Sequence, residues 1–433
     1  MLTSRSRFVP RLAICGAVLL GIPWICAAQG EKTAPPAPAP TTIATTSTRP
    51  ADGAGDPKDP SAGGATGAPQ TPEQAAGARP ETPAPDGFKM GAFTFKPSGR
   101  IKLDLIRDFK PIGSEDSFDT RTIPVDGSEG TNSNVHAKET RLNLDIRGMT
   151  QGKELRMFIE TDFYGTSSAL RLRHAYGAYG GLLAGQTWTT FMDDDNLPRT
   201  IDFESPTAFA QIRQAQVRWT QKLAPIVTWS AALEDNKSAI VIPSTIPGKA
   251  EYPTPDLVTR FRFDVAKGHI STSAFLGEAR FRPTDGEADS VKLWGTMASA
   301  KFATFGKDSI YGVFTVGDGI GRYRGGTTAV PDGTGKLHAV GGTAFMGGYE
   351  HFWRERWSTN AVYSTGDTHD EPFYTSAVNK RLTYSAVNLL YWFLGDRAWT
   401  GVEYLYGHRE VFGDQGDGGS AHRVQYAVRF NLP

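Results

Sequence analysis

The fold is decided by the stretch from Ala169 to Thr220, which reads ALRLRHAYGAYGGLLAGQTWTTFMDDDNLPRTIDFESPTAFAQIRQAQVRWT. Two strand-like runs meet there at a pair of glycines, and a third run begins only after an acidic excursion of about twenty residues. Unstructured loops of this length are uncommon in compact soluble domains, whereas a closed β-barrel can hold one inside its lumen. The stretch therefore predicts a barrel in which Met192 to Gln211 folds inward and narrows the lumen, facing a wall that carries Arg171 and Arg173.

Period-two alternation continues this pattern from Gly87 to the end of the chain. In RIKLDLIRD, Ile101, Leu103 and Leu105 alternate with charged residues, which predicts a strand with one apolar and one polar face. About sixteen such runs are present, and single-chain bacterial barrels have an even number of strands. The connections alternate in length, so that short turns such as Gly180-Gly181 are followed by long polar loops.

This sorting of connections by length is typical of outer-membrane barrels, whose periplasmic turns are short and whose extracellular loops are long. A soluble β-sandwich has no reason to sort its connections in this way. We therefore expect an all-β fold, a 16-stranded antiparallel transmembrane β-barrel with an inward-folded constriction loop, over residues 87–433. The expected location is the cell outer membrane of a Gram-negative bacterium.

Composition excludes several other classes of protein. The chain has 433 residues, of which 46 are basic and 46 acidic, and this balance argues against nucleic acid as a partner. After the N-terminus, no apolar run approaches the length of a membrane-spanning helix. Both cysteines, Cys15 and Cys26, lie near the N-terminus. If that segment is removed, disulfides, thiolate metal sites and a cysteine nucleophile are excluded.

The N-terminal residues carry two expected segments. Residues 1–28 have a basic start, an apolar centre and a small-residue end, which predicts a signal peptide. Residues 29–86 are rich in Pro, Ala and Thr and are expected to form a disordered linker in the periplasm, because they cannot bury enough apolar surface to offset ordering. Such a linker either reaches the cell wall or is a solvated tail without specific contacts.

Four motifs in order along the chain resemble the DcaP-like porins, which are outer-membrane channels associated with dicarboxylic acids. The motifs are LRLRHAYGAY, AGQTWTTFMDDDNLPRTIDF, GDGIGRY (Gly317 to Tyr323) and GVEYLYGHRE (Gly401 to Glu410). The resemblance implies a homotrimer of sixteen-stranded barrels, with a loop after the fifth strand that narrows each pore. It also implies an N-terminal periplasmic helical segment. This chain departs from that pattern, because its Pro-rich linker cannot form a coiled coil.

Opposed charges are expected inside the pore. The acidic residues of the constriction loop are Asp193, Asp194, Asp195, Asp202 and Glu204. By strand parity the inward basic residues are Arg100, Lys102, Arg141, Arg156, Arg171, Arg173, Arg218, Arg260, Arg262 and Arg429. Acidic and basic walls create a transverse field, and Arg binds carboxylates in a bidentate manner. This predicts passive diffusion of small hydrophilic solutes, with a preference for anions that carry one or two carboxylates.

Alternatives remain for each of these features. The inward Arg residues either select anions or pair with Asp145, Glu160 and Asp162 to tie the wall together. Residues 193–196 suit either a Ca²⁺ site or a dipole-rich eyelet without metal or cofactor, and we favour the eyelet. The glycines of GDGIGRY are interpreted as part of an extracellular loop, since no helix follows at the spacing of a dinucleotide site. By parity, His174 is expected to face outward.

Two other classes of protein are compatible with a β-rich chain. A barrel-based outer-membrane enzyme would need a nucleophile with a His in reach, and no triad motif is recognisable among the eight His residues. The other class is a secreted β-rich binding or adhesion protein, which would fractionate with the periplasm instead of the membrane. For the barrel, the expected partners are small anionic solutes and outer-membrane lipid or lipopolysaccharide.

Overall fold

The computed structural model describes residues 87–237, 239–413 and 418–432. The expected signal peptide and linker, residues 1–28 and 29–86, lie outside the described residues and stay predictions. Helix is scarce in the described part, which contains one short α-helix, α1 (Gly321–Arg324), and the 3₁₀ turns Thr120–Thr122, Thr166–Ser168 and Asp194–Asn196. No helix in these ranges is long and apolar enough to cross a membrane.

Sixteen strands of the described residues form one antiparallel barrel. Their bounds are β1 (Phe93–Asp108), β2 (in two parts, Asn132–His136 and Arg141–Thr150), β3 (Lys153–Asp162), β4 (Arg171–Tyr179), β5 (Leu182–Trp188), β6 (Arg213–Ala224), β7 (Val227–Glu234), β8 (Asp256–Val265), β9 (Gly268–Pro283), β10 (Asp289–Ala303), β11 (Ser309–Asp318), β12 (Gly341–Arg354), β13 (Trp357–Thr368), β14 (Asn379–Trp392), β15 (Ala398–Val411) and β16 (Gly419–Leu432). Short strands extend the rims or connect loops: Phe88–Met90, Gly248–Glu251, Ala329–Pro331 and Leu337–Ala339.

The barrel closes where β1 pairs with β16. This pairing is antiparallel and runs from Gly99 opposite Leu432 to Asp108 opposite Arg423. Each remaining strand pairs with its neighbour in sequence. A sheet closed on itself has no edge with unpaired backbone groups, as a wall surrounded by hydrocarbon requires. The predicted fold class is therefore confirmed.

The alternation in sequence becomes an apolar outer face and a polar inner face. On β1, Ile101 is 54% exposed in the isolated chain, whereas its neighbours Arg100 and Lys102 are 6% and 2% exposed. The same contrast recurs around the barrel, with exposed Leu, Ile and Val opposite buried charged side chains. Because charge on a lipid-facing wall costs about 2–4 kcal/mol at mid-depth, this parity fixes which face lies inside.

One residue departs from the expected parity. His174 is 3% exposed and contacts the Thr187 hydroxyl through Nδ1 at 2.9 Å, so it points into the barrel. The cause is a β-bulge between β3 and β4. Glu160 pairs with His174 and the next residue, Thr161, pairs with Leu172, so Arg173 is the extra residue. A bulge shifts the facing of every residue beyond it by one position, and the expected outward position of His174 is wrong.

Three long connections fold into the lumen. We call them loop A (residues 109–131), loop B (189–212) and loop C (319–340). Each contributes fully buried apolar side chains to a core inside the barrel, including Phe118 of loop A, Phe191 of loop B and Tyr323 of loop C. Of the three GDGIGRY glycines, Gly317 lies in β11, Gly319 lies in loop C and Gly321 begins α1. The expectation that no helix follows these glycines is therefore wrong, and the first turn of loop C is buried rather than extended into solvent. Gly319 allows this turn because its φ is +81°.

Arg423 of β16 ties the barrel seam to loop B. Its guanidinium contacts Asp108 of β1 at 2.7 Å and Asp202 of loop B at 3.3 Å, and all three side chains are fully buried. Replacing Arg423 with Ala leaves two buried carboxylates without their cation, which typically costs about 3–5 kcal/mol. We expect the temperature at which the folded barrel shifts to its unfolded mobility on detergent gels to fall by roughly 5 °C or more.

The matched control is Arg282→Ala, because Arg282 pairs with Glu251 at an exposed position of β9. Exposed ion pairs contribute little, so this variant should migrate like the parent at every temperature. Equal transition temperatures for R423A and R282A would contradict the proposed role of the buried seam.

Candidate functional site: the lumen constriction

Loop B is anchored where it leaves the wall. Glu234 at the end of β7 accepts a hydrogen bond from the Thr189 hydroxyl at 2.6 Å and another from the Thr190 backbone N–H at 2.7 Å. These two contacts turn the chain inward just after β5. Phe191 then packs edge-on against Phe275 of β9, with ring centroids 5.3 Å apart. The loop therefore begins its path through the lumen from a fixed direction.

The far part of loop B is held by β14 and β15. Glu403 of β15 accepts hydrogen bonds from the backbone N–H groups of Ile201 at 2.9 Å and Asp202 at 2.8 Å. Asn388 of β14 donates to Glu403 and to the Arg199 carbonyl, at 2.9 and 2.6 Å. Since the loop starts between β5 and β6, it crosses the lumen to reach these strands. The inward course predicted for Met192 to Gln211 is the course observed.

The first acidic group of loop B lies against β8, β9 and β10. Asp193 accepts from His269 Nε2 at 2.9 Å and from the Ser299 hydroxyl, with the His tautomer inferred from this contact. Asp195 pairs with Arg262 at 2.5 Å, and Asp194 lies 3.8 Å from Arg260. Burial raises the pKa of Asp194 to about 6, helped by the adjacent Asp195 and opposed by Arg260.

The second acidic group of loop B contacts loop A and the seam. Asp202 accepts from the Phe118 backbone N–H at 2.9 Å, in addition to its contact with Arg423. Glu204 pairs with Arg121 of loop A at 3.1 Å. Burial raises the pKa of Glu204 to about 8, although Arg121 acts in the opposite direction. All five predicted acidic residues are therefore brought into the lumen, in two groups with different partners.

The surface of loop B that faces the β4 wall is aromatic rather than acidic. Phe203 stacks on Tyr164 with ring centroids 4.0 Å apart. The guanidinium groups of Arg171 and Arg173 lie 5.5 and 5.8 Å from the centre of the Phe203 ring. The predicted opposition of the loop to Arg171 and Arg173 exists, but cation–π contacts form it. The alternation pattern carried no signal for this, because Phe203 lies in a loop.

Most predicted basic residues of the early strands form a continuous ladder with carboxylates along the inner wall, from β1 to β4. The contacts are Arg100–Glu139 at 2.6 Å, Lys102–Asp104 at 3.0 Å, Lys102 with Glu139, Arg141–Glu139 at 3.8 Å, Arg141–Glu160 at 3.4 Å, Arg173–Glu160 at 2.6 Å, Arg173–Asp162 at 3.0 Å and Arg171–Asp162 at 2.7 Å. The ladder holds five cations and four carboxylates. The alternative that Arg residues tie the wall together is thus realised in the geometry.

The remaining predicted basic residues are also placed inside. Arg156 pairs with Asp145 at 2.9 Å below the ladder. Arg218 is 6% exposed on the inward face of β6. Arg429 lies 5.9 Å from the centre of the Trp399 ring. Parity therefore placed these residues correctly, while their partners depend on register and on loop contacts.

Sequence reasoning missed several charged residues of the site. Glu139 joins the two parts of β2, and Arg121 and Arg324 belong to loops A and C, where alternation carries no information. Arg213 opens β6 and places its guanidinium 4.3 Å from the centre of the Trp188 ring. Arg171, Arg173 and Asp162, at the β4 end of the ladder, are its charged neighbours. Arg213 thus adds a sixth cation to that wall.

One cluster has the composition of a metal site. Ligand atoms of Asp193, Asp195 and His269 lie within 4.8 Å of one another. Arg262 already contacts Asp195, and the Lys301 ammonium donates to the Asp195 carbonyl at 3.0 Å. Since these cations supply the charge that a metal would supply, we interpret the cluster as an anchor of loop B.

The outer wall carries a concavity of about 620 Å³. It is lined mainly by apolar outward residues of β12 to β15, among them Trp353, Trp357 and Leu389. This groove faces away from the lumen and takes no part in a passage through the barrel.

A closed sixteen-stranded barrel with an apolar outer face, a charged lumen and loops folded into that lumen has the architecture of an outer-membrane porin. The family model described as DcaP outer membrane protein matches residues 89–432. The chain therefore belongs to the DcaP outer membrane protein family, as the sequence motifs indicated.

Solved structures show the same fold. The outer membrane channel DcaP of Acinetobacter baumannii is similar with a TM-score of 0.72 at 22% identity, covering 80% of this chain and 99% of that one. An anion-selective porin from Comamonas acidovorans gives a TM-score of 0.51 at 12% identity, covering 78% and 99%. OmpT of Vibrio cholerae, expressed in the outer membrane, gives 0.51 at 13% identity, covering 80% and 100%. No curated protein sequence matches the chain.

The anchoring of loop B by Glu403 is testable by proteolysis. Replacing Glu403 with Ala removes the acceptor of two backbone hydrogen bonds and one from Asn388, and each buried donor left unsatisfied costs about 1–3 kcal/mol. We expect trypsin to cut after Arg199 more than about tenfold faster in this variant, because local opening of the loop becomes easier.

Glu410→Ala is the control on the same strand, since Glu410 lies near the opposite end of β15 and its ion pairs with other described residues are long, at 3.5 and 4.0 Å. Cleavage after Arg199 should be as slow in E410A as in the parent. An unchanged cleavage rate in E403A would show that other contacts hold the loop.

Proposed function

We propose that this protein is an outer-membrane porin for passive diffusion of small hydrophilic anions, in particular solutes with one or two carboxylates. The observation that carries the proposal is the charge of the inner wall. Five ladder cations and Arg213 face four ladder carboxylates, which leaves a net excess of two positive charges on one side of the lumen. A narrow passage with such a wall concentrates anions and repels small cations.

Arginine contributes more than charge to this preference. Its planar guanidinium presents donors in a fork that matches a carboxylate, so it orients the solute as well as attracting it. Within the ladder the carboxylates keep each cation in place, so most of the wall acts on a passing solute through its field and not through tight pairing. Favourable entry combined with weak, repeated contacts is what conduction requires.

The comparisons support the proposal from outside the chain. The Acinetobacter baumannii protein is described as an outer membrane channel and the Comamonas acidovorans protein as an anion-selective porin. Their low identity transfers the fold alone, so the preference of this chain rests on its own wall charge. We also propose, from the family pattern, that the protein is a homotrimer in contact with lipopolysaccharide. Its N-terminal linker would then lie in the periplasm, where it could contact the cell wall.

An enzyme built on a barrel is the other class considered. Among the described residues, the arrangement that most resembles a catalytic triad consists of Ser420, His408 and Glu410. His408 Nδ1 lies 3.0 Å from the Ser420 hydroxyl, and Nε2 lies 3.5 Å from Glu410. All three occupy paired strand positions of β15 and β16. Acyl transfer needs converging backbone N–H groups for the oxyanion, and backbone groups in a ladder are committed to the neighbouring strand. We therefore favour the porin.

The proposal is tested with the purified protein in planar bilayers and liposomes. In a KCl gradient, the reversal potential should have the sign of a channel that prefers chloride over potassium. Liposomes should swell faster with succinate than with 1,4-diaminobutane, a cation of the same carbon length, because the wall charge repels the diamine.

Raising the salt concentration should reduce this preference, since screening shortens the reach of the wall charge. A reversal potential of the opposite sign would overturn the anionic preference. Absence of conductance from correctly folded protein would overturn the porin function itself.

A further inference from the structure

Loop C is fixed inside the lumen by the two central residues of α1, Arg322 and Tyr323. The Arg322 guanidinium contacts Asp256 of β8 and Gln214 of β6, and the Tyr323 hydroxyl donates to Asp256 at 2.8 Å. The Tyr323 ring packs between Phe191 and Phe275, with centroid distances of 4.9 and 4.5 Å. These contacts join loop C to loop B and to the barrel wall. The short helix α1 is therefore held at a definite position beside the constriction.

Arg324, the last residue of α1, borders the space that remains between the loops. Two small cavities lie there, of about 40 Å³ and about 10 Å³. Arg324 and Thr207 of loop B line both of them. The first cavity continues along glycines of β12 and β13, and the second continues to Asp119, Arg121 and Glu204. The Arg324 side chain therefore lies on the boundary between the two cavities.

Arg324 differs from Arg121 in its charge partners. Arg121 contacts Asp119 at 2.6 Å and Glu204 at 3.1 Å. Among residues 87–237, 239–413 and 418–432, no hydrogen bond or ion pair is made to the Arg324 side chain, and its Nε is buried without a partner. Burial lowers the pKa of Arg324 with only Asp367 acting against it, and a guanidinium stays charged at neutral pH. Arg324 is half-buried, and a cation that has lost part of its water without gaining an anion is unfavourable, so the site favours any anion that can enter.

The wall of the first cavity leaves room for this guanidinium. Gly366 of β13 faces Arg324, and a Cβ built there would lie 2.6 Å from Arg324 Nη2. Gly341 and Gly342 of β12 line the same cavity. The lack of a side chain at Gly366 is therefore what allows the Arg324 guanidinium to lie along this wall of the cavity.

We propose that Arg324 is the anion-selecting residue of the constriction, and that a single carboxylate of the diffusing solute pairs with it between loops B and C. The proposal rests on the anion-diffusion function above and assigns its narrowest step to one residue. The ladder on the β1–β4 wall then raises the local concentration of anions through its field, while Arg324 pairs with a single carboxylate. Alternation in the sequence cannot indicate this role, because Arg324 comes from a loop that meets loop B only in the folded barrel.

The test is Arg324→Gln in planar bilayers, measured as the chloride-to-potassium permeability ratio in a KCl gradient. Removing one unit charge from the path should lower this ratio by about threefold or more, allowing for screening by water and salt. Acetate added to one side should reduce the chloride current in the parent and lose most of that effect in R324Q. Arg324→Lys should retain the permeability ratio and show weaker block by acetate, since ammonium lacks the bidentate fork.

Arg156→Gln is the matched control, because it also removes a lumen Arg. Its partner Asp145 keeps Arg147 at 2.8 Å, so the ratio should change far less than in R324Q. Gly366→Ala serves as a second variant should R324Q fail to fold. It keeps the charge but displaces the guanidinium, and it should weaken the block by acetate.

The outcomes separate the two proposals. An anion-selective parent with an unchanged ratio and unchanged acetate block in R324Q would overturn the role of Arg324 and leave the anion porin standing. A cation-selective or non-conducting parent would overturn the function on which this role rests. A drop in ratio of equal size in R324Q and R156Q would show that total lumen charge decides selectivity, and it would also overturn the specific role of Arg324.

Discussion

The constraint on which this structure depends is that every backbone N–H and C=O group surrounded by hydrocarbon must be paired within the protein. The pairing of β1 with β16 meets it by removing the last free edge. Closure has a second consequence. In a closed sheet with period-two alternation, the polar and charged residues that alternate with the apolar outer residues must line the lumen. Charged side chains are thereby forced together inside, and the rest of the molecule can be understood as the arrangement of those charges.

Charges collected in a lumen must be compensated, and this protein does so in two ways. Along the β1–β4 wall, cations and carboxylates alternate in a ladder, where each partner fixes the next. Across the lumen, the acidic residues of loop B pair with Arg260, Arg262, Arg121 and Arg423. The same ion pairs that hold loop B in place therefore also remove most of the field that a simple opposition of acidic loop and basic wall would produce. Selectivity in such a pore comes from the charges left over.

The constriction is a joint product of three loops. Loop B crosses the lumen, but its position depends on Glu234 and Glu403 at its two ends and on contacts with loops A and C. Apolar side chains from all three loops pack into one core, with Phe191 of loop B against Tyr323 of loop C as its centre. A core of this kind makes the loops rigid, so the passage has a defined lining. Two cations line the small cavity between these loops: Arg121, which pairs with Asp119 and Glu204, and Arg324, for which the described residues supply no ion pair.

The sequence by itself determined the all-β barrel, the number of its strands, the face of most strand residues and the inward course of loop B. These features follow from local rules, because period two fixes facing and a long acidic insertion between short-turn strands fits only inside a closed sheet. Tertiary structure decided the rest: the bulge that turns His174 inward, Phe203 as the contact of Arg171 and Arg173, and the burial of loop C. The physical reason is that partners in a lumen are brought together by closure and register, across distances of tens to hundreds of residues. An alternation pattern records only which way a side chain points, and in loops it records nothing.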